Sequence, residues 1–238
     1  MGEAEKSFYE EAGRQYDSVT AGGIFQYFVR RRKEALRALG LDREGLRVLD
    51  AGGGTGVYRD VFSRSSGVVG LDYSFSSLSA YGKKYPRSLL VNADALSLPF
   101  RMSSVDVVIL FGLIHHIYKR ITELFSEVVR VLKPGGLLVV DEPNGYNLLW
   151  HVFLMTETGQ RIDGGLTRPV LPASMRKLMR ERRFEILSEK YWGFLPHKAG
   201  AGFIPAFEEW LERSPLRFIA IRYSVVARKP VESARGLV

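Results

Sequence analysis

Between residues 47 and 142 the chain carries five short runs that are apolar at nearly every position. They are Arg47–Asp50, Gly67–Asp72, Ser88–Asp94, Val105–Phe111 and Gly136–Glu142. A strand with one solvated face alternates apolar and polar residues. Continuous apolar runs of this length fit strands buried on both faces, as in a parallel sheet. Between the runs the period changes to that of a helix. Ile121, Leu124, Phe125, Val128 and Leu132 fall on one helical face and predict a helix over Lys119–Leu132. Lys133–Gly136 should end it, with Pro134 unable to continue and Gly135 free to take a left-handed cap. Ser74 reads as the N-cap of a second helix, Phe75–Tyr85, which Pro86 closes. Strand and helix in alternation imply a doubly wound α/β sheet.

The rhythm changes after Glu142. Helices are expected near Leu148–Met155 and Ala173–Glu181, joined by the loop Thr156–Pro169. Strands follow near Phe184–Trp192 and Arg217–Arg228. With the five earlier runs they make a seven-stranded, mostly parallel sheet. No internal repeat or low-complexity linker interrupts the chain. The expected organisation is one domain over 1–238: an N-terminal helical cap (1–44), a core (45–145), an insertion (146–183) and C-terminal strands (184–230).

The bulk numbers narrow this picture without deciding it. The 238 residues are 46% hydrophobic and 25% charged, an ordinary globular balance. There is no cysteine, which excludes disulfides and thiolate metal sites and is compatible with a cytoplasmic setting. The N-terminus has no apolar leader, and Lys6 breaks the myristoylation pattern. No run approaches the ~18 residues of a membrane span. The net charge of +8 admits an acidic partner. Its densest cluster, Arg30–Lys33, lies in a helical pattern whose apolar face is Ile24, Phe28, Ala35 and Leu39. The four cations therefore read as the solvated face.

Candidate chemistry begins in VLDAGGGTGVYRD, Val48–Asp60. The glycines follow the first core strand, at the edge where an open parallel sheet binds ligands. Backbone N–H groups can approach a ligand there with no Cβ in the way. A phosphate-binding loop would need Gly-Lys-Ser/Thr, but Val57-Tyr58 follow Gly56. The dinucleotide spacing G-x-G-x-x-G also fails, because its last position falls on Val57 or Arg59. What stands is acid-x-G-x-G-x-G: Asp50, Gly52, Gly54 and Gly56.

This pattern resembles motif I of the class I S-adenosylmethionine-dependent methyltransferases. Further segments over roughly residues 45–145 resemble the ubiquinone/menaquinone-biosynthesis-like (type 11) group of that family: Asp72 ending the second run, NADALSLPF (Asn92–Phe100), VDVVILFGLIHHI (Val105–Ile117) and VLKPGGLLVVDEPN (Val131–Asn144). Tyr16–Val19 is similar to the segment that covers the cofactor in that group. The resemblance implies the Rossmann-like methyltransferase fold and S-adenosyl-L-methionine as cofactor, with S-adenosyl-L-homocysteine as product. It places Asp50 near the cofactor's amino-acid part and Asp72 on the ribose hydroxyls. It puts Asp94 on the adenine amino group and the Ala95 N–H on the ring. Thr55, Tyr73 and Phe111 complete the expected cofactor set.

No residue is marked as catalytic by the pattern. His115, His116 and Glu142 are the candidates for acid–base work, since histidine titrates near neutrality. The histidines serve equally to build the turn after the fourth strand, and neighbours on a helix point apart, against a shared metal. Glu142 and Asn144 read as substrate contacts or as loop caps. Leu148–Met155 reads as a core helix or as a lid over an apolar acceptor. The favoured expectation is methyl transfer to a small apolar molecule. RNA or protein as acceptor, or a non-catalytic cofactor-binding scaffold, are the alternatives.

Overall fold

The computed structural model describes residues 23–62, 67–157, 168–194 and 204–231, together with positions 7, 9–11, 13, 14, 17 and 159. Its sheet has seven strands: β1 (Arg47–Ala51), β2 (Gly67–Asp72), β3 (Leu89–Asn92), β4 (Val105–Phe111), β5 (Leu132–Pro143), β6 (Glu185–Trp192) and β7 (Arg222–Arg228). The order across the sheet is β3-β2-β1-β4-β5-β7-β6. The first five strands are parallel. β7 runs antiparallel between β5 and β6. Strand order reverses between β1 and β4. The crevice beyond their carboxyl ends is the natural ligand position of such a sheet.

The helices that frame the sheet include α1 (Gly23–Ala38), α2 (Phe75–Lys84), α3 (Ile121–Val131), α4 (Leu148–Leu154), α5 (Pro172–Glu181) and α6 (Ile204–Arg213). α3 buries Leu124, Phe125 and Val128 completely, packing with β4 and β5 into the larger apolar core. On the opposite face Leu36 of α1 meets Val48, Val107, Ile109 and Val139. The β1–β2 crossover contributes to that face, with no α-helix among its described residues. It makes a 3-10 turn at Arg59–Val61, and Tyr58, Val61 and Phe62 pack beneath α1. Ser74 caps α2 by accepting from Ser77 N, as its position predicts.

Several expectations need correction. α3 starts at Ile121, after a 3-10 turn at Tyr118–Arg120. It ends at Val131 because Leu132 turns at once to extended geometry. Gly135 has φ +78°, but it lies in a strand irregularity, donating to Lys229 O at 2.8 Å, and is no helix cap. The last strand begins at Arg222, not Arg217. Pro215 opens a 3-10 turn over Pro215–Ile219, capped by Ser214. α6 was not anticipated from the pattern.

The buried stripe of α1 differs as well. Ala35 is exposed, and Leu39 is half-buried. Tyr27, Phe28 and Leu36 are the buried positions. Arg32 stands four residues from both Phe28 and Leu36, so it falls on the buried stripe and its side chain is only 11% exposed. It is a core cation and not part of a solvated face. Of Tyr16–Val19, only Asp17 lies within the described residues, and most of the Thr156–Pro169 loop lies outside them.

Candidate functional site

β1 delivers the chain into a turn in which Gly52, Gly54 and Gly56 have φ of +74°, +53° and +76°. That geometry strains any residue with a Cβ. The glycine N–H groups are not held out toward a ligand. Gly52 N and Gly53 N donate to Leu71 O at 2.8 and 3.0 Å, Gly54 N to Asp72 Oδ2 at 2.9 Å, and Gly56 N to Gly53 O at 2.9 Å. The turn is thus sewn to the end of β2, and its contribution to the crevice is room. A Cβ on Gly54 would meet nothing within 4 Å, whereas one on Gly56 would strike the Tyr81 ring. Gly56 lets that ring pack beneath the turn.

A cavity opens above this turn. Its wall runs through Gly52–Gly54, Asp72–Ser74, Ala93–Ala95 and Phe111–Leu113, with Arg32 and Tyr58 at one end and Tyr9, His116 and Ile117 at another. Seven of the expected cofactor residues therefore converge: Gly52, Gly54, Asp72, Tyr73, Asp94, Ala95 and Phe111. Asp50, Thr55 and Gly56 stand behind the wall. Thr55 Oγ1 donates to Asp17 Oδ1 at 2.7 Å, tying the turn to the N-terminal segment.

The acids differ in their surroundings. Asp72 accepts from Gly54 N and Ser74 N, both at 2.9 Å. Burial nevertheless raises its pKa, against the lowering by those two N–H groups. Asp94 Oδ1 accepts from Leu96 N at 2.9 Å and so builds the turn after β3. Asp50 is 2% exposed, and its Oδ2 has no hydrogen-bond partner among the described residues. Burial first, and the charge of Asp72 second, push its carboxyl up to about 7.

The acid–base candidates separate. Glu142 is fully buried at the end of β5. Its Oε1 accepts from Leu113 N (2.9 Å) and Ile114 N (2.8 Å), and its Oε2 lies 2.5 Å from His115 Nδ1. This carboxylate fastens the 3-10 turn after β4, and neither Glu142 nor His115 lines the cavity. His116 does line it, with its ring edge-on to Tyr9 at 5.5 Å. Asn144 is a loop cap. Its Nδ2 donates to Phe218 O and Ala220 O, and its Oδ1 accepts from Tyr146 N. Among the described residues no cluster of metal-ligating side chains occurs.

Among the lining residues not expected from the sequence are Arg32 and Tyr58. Tyr58 lies two positions past Gly56, close enough to the motif to have been suspected. Arg32 had a usable signal in its spacing from Phe28 and Leu36.

Residues 49–140 match the family model described as a methyltransferase domain. A probable S-adenosylmethionine-dependent methyltransferase of Mycolicibacterium smegmatis is 34% identical over 119 residues, covering 50% of this chain and 46% of that protein. A demethylmenaquinone methyltransferase of Beutenbergia cavernae is 36% identical over 139 residues, covering 56% and 55%. The chain thus spans about half the length of the curated relatives it matches. Among solved structures, a methyltransferase of Thermotoga maritima, described as a possible histamine N-methyltransferase, superposes with a TM-score of 0.68. That alignment covers 94% of this chain and 99% of the other at 17% identity, a likeness of fold. Residues 49–140 thus carry the match to a methyltransferase domain, and over about half its length the chain is similar to S-adenosylmethionine-dependent methyltransferases.

Proposed function

We propose that this chain binds S-adenosylmethionine in the cavity beyond β1 and β4 and transfers its methyl group to a small, apolar acceptor. The observation that carries the reading is Asp72. It ends β2 at the cavity wall, held by two backbone N–H groups, where a carboxylate can accept from two ribose hydroxyls. The other groups fit the same ligand. Gly54 leaves open space. The unpartnered Oδ2 of Asp50 is a buried acceptor behind Gly53, and its charge suits an ammonium held in the cavity in front of that glycine. Asp94 and Ala95 stand at the wall where the adenine would lie.

When bound, the cofactor supplies an electrophilic methyl group on a sulfonium. The chain's own task is then orientation. Phe111 and Leu113 shape the wall, and exclusion of water with in-line placement supplies up to ~7–11 kcal/mol of barrier lowering. Neither His115 nor Glu142 is needed as a base, since both are spent on the turn after β4. His116 is the histidine with access to the cavity.

Calorimetric titration with S-adenosylmethionine, S-adenosylhomocysteine and NADH tests the reading. The adenosyl ligands should bind and NADH should not. Asp72→Ala should weaken them by about 30-fold, the equivalent of one or two charge-assisted hydrogen bonds. Binding unchanged in that variant would refute the assignment of the ribose site.

The apolar character of the acceptor is supported by α4. Leu148, Leu149 and Val152 are 74%, 81% and 55% exposed, with Met155 beyond them at 77%. A core helix would bury these side chains, so the core reading fails; none of them lines the cavity, and the lid reading rests on their apolar, exposed character. Leu149→Ser should leave the melting temperature within about 2 °C of wild type, since exposed positions change stability by about 0.5 kcal/mol or less. Turnover with an apolar acceptor should fall several-fold. A fall in melting temperature with turnover intact would count against the lid.

A further inference from the structure

We propose that Arg32 and Tyr58 form a carboxylate-recognition pair at one end of the cavity. Both line that cavity beside Phe111 and Gly53. Arg32 has five N–H donors. Its Nε and Nη2 are spent on Asp141 Oδ1, at 2.7 and 2.6 Å, and Nη1 donates to the Tyr58 hydroxyl at 2.7 Å. Two N–H directions remain without a partner among the described residues. The side chain keeps 11% of its surface, and it reaches the cavity wall.

Tyr58 supplies an independent observation. Its residue is 8% exposed, and its oxygen already accepts from Arg32. Its proton is therefore left to donate, and no acceptor for it occurs among the described residues. At the cavity wall that proton is placed to be donated to a ligand oxygen. The ring is held edge-on to Phe111 at 5.0 Å, and the guanidinium sits over both rings at 5.3 and 5.8 Å. The pair is rigid before any ligand arrives.

The surrounding charges leave the pair cationic. Arg32 shares its single bonded carboxylate, Asp141, with Arg222, whose Nε and Nη2 reach the same Oδ1 at 3.0 and 2.6 Å. Asp141 Oδ2 is taken by Trp192 Nε1 and Ser224 Oγ. Glu142 lies within electrostatic reach of Arg222, but its oxygens are bonded to His115 and to the turn after β4. Two guanidiniums on one carboxylate, with the outer one facing a cavity, select an oxyanion. A planar carboxylate can accept from the Arg32 fork and from Tyr58 together.

This inference rests on the proposed cofactor reading for the origin of the carboxylate. That group comes either from the amino-acid tail of S-adenosylmethionine or from an acid group on the acceptor. The test titrates wild type, Tyr58→Phe and Arg32→Gln with S-adenosylhomocysteine and with 5′-methylthioadenosine, the nucleoside that lacks the tail. Benzoate is titrated into each protein, free and nucleoside-loaded.

Tyr58→Phe leaves the Arg32–Asp141 pair intact and guards against an unfolded variant. If the tail is the ligand, S-adenosylhomocysteine loses tenfold or more in both variants while 5′-methylthioadenosine is unaffected. If the acceptor is the source, the nucleosides bind as before and benzoate binding is lost. Equal weakening of both nucleosides, or unchanged binding of all three probes, would overturn the pair. Should wild type bind neither nucleoside, the cofactor reading fails, and benzoate still decides: the pair stands if Tyr58→Phe abolishes its binding and falls otherwise.

Discussion

Asp141→Asn is expected to lower the unfolding free energy by about 3–5 kcal/mol, read as a fall in denaturant midpoint at unchanged slope. Asp141 is 2% exposed at the end of β5 and takes hydrogen bonds from α1, β6 and β7: Arg32, Trp192, Arg222 and Ser224. Removing its charge leaves two buried guanidiniums facing each other with no bonded carboxylate between them. Such an uncompensated pair costs more than the original bridge contributed, because desolvation of the cations is no longer offset. The acid's titration carries the same information. Burial pushes the Asp141 carboxyl up, but Arg222 and Arg32 outweigh burial and hold it below the usual range. A depressed acid stabilises the fold fully above its unfolded pKa. That contribution is lost as pH falls through the folded value, below about 4. The variant should therefore unfold more easily at neutral pH, and its deficit should shrink in acid. A deficit that stays constant into strong acid would show that Asp141 acts by packing alone.

The legible part of this molecule is the part made by local rules. β2 and β4 begin and end where their apolar runs do, because strands buried on both faces carry the pattern in every residue. Ser74 and α2 were legible because a cap is a short-range bond. Arg32 was missed although it stands four residues from both Phe28 and Leu36, because a run of four cations reads as one solvated face and its carboxylate partner is more than a hundred positions away. The Lys133–Gly136 turn misled because helix stop and strand irregularity use the same residues; only the pairing with β4 and Lys229 tells them apart. At the site, the glycine spacing announced a ligand crevice but not how it is made. The N–H groups serve Leu71 and Asp72, and only three-dimensional contact reveals that. Glu142 likewise ends a strand at the ligand edge, as a catalytic acid would, yet its oxygens are spent on Leu113, Ile114 and His115.

Asp50 should make the ligand-free protein less stable as pH rises, and Asp50→Asn should abolish that trend. Burial, then the charge of Asp72, lifts the Asp50 carboxyl from an unfolded value of 3.8 to about 7. Between those values the folded chain holds a proton that the unfolded chain has released. Stability from this group is thus complete below the unfolded pKa and is lost as pH rises through about 7. Three pKa units at ~1.4 kcal/mol each amount to about 4 kcal/mol. The difference in unfolding free energy between wild type and Asp50→Asn should swing by about that amount from pH 4 to pH 8. A constant difference would mean that Asp50 titrates normally.

The same carboxyl gives the opposite dependence once a cation arrives. An ammonium beside Asp50 favours the ionised form, so S-adenosylmethionine should bind more tightly as pH rises through about 7 and should release a proton below it. Calorimetry in buffers of different ionisation enthalpy reads that proton directly. In Asp50→Asn the proton disappears and affinity loses its slope. A site that is costly to keep empty and charged, and is relieved by its ligand, is one in which fold stability was given up for binding. On the proposed cofactor reading, the unpartnered Oδ2 of Asp50 is where that exchange would lie.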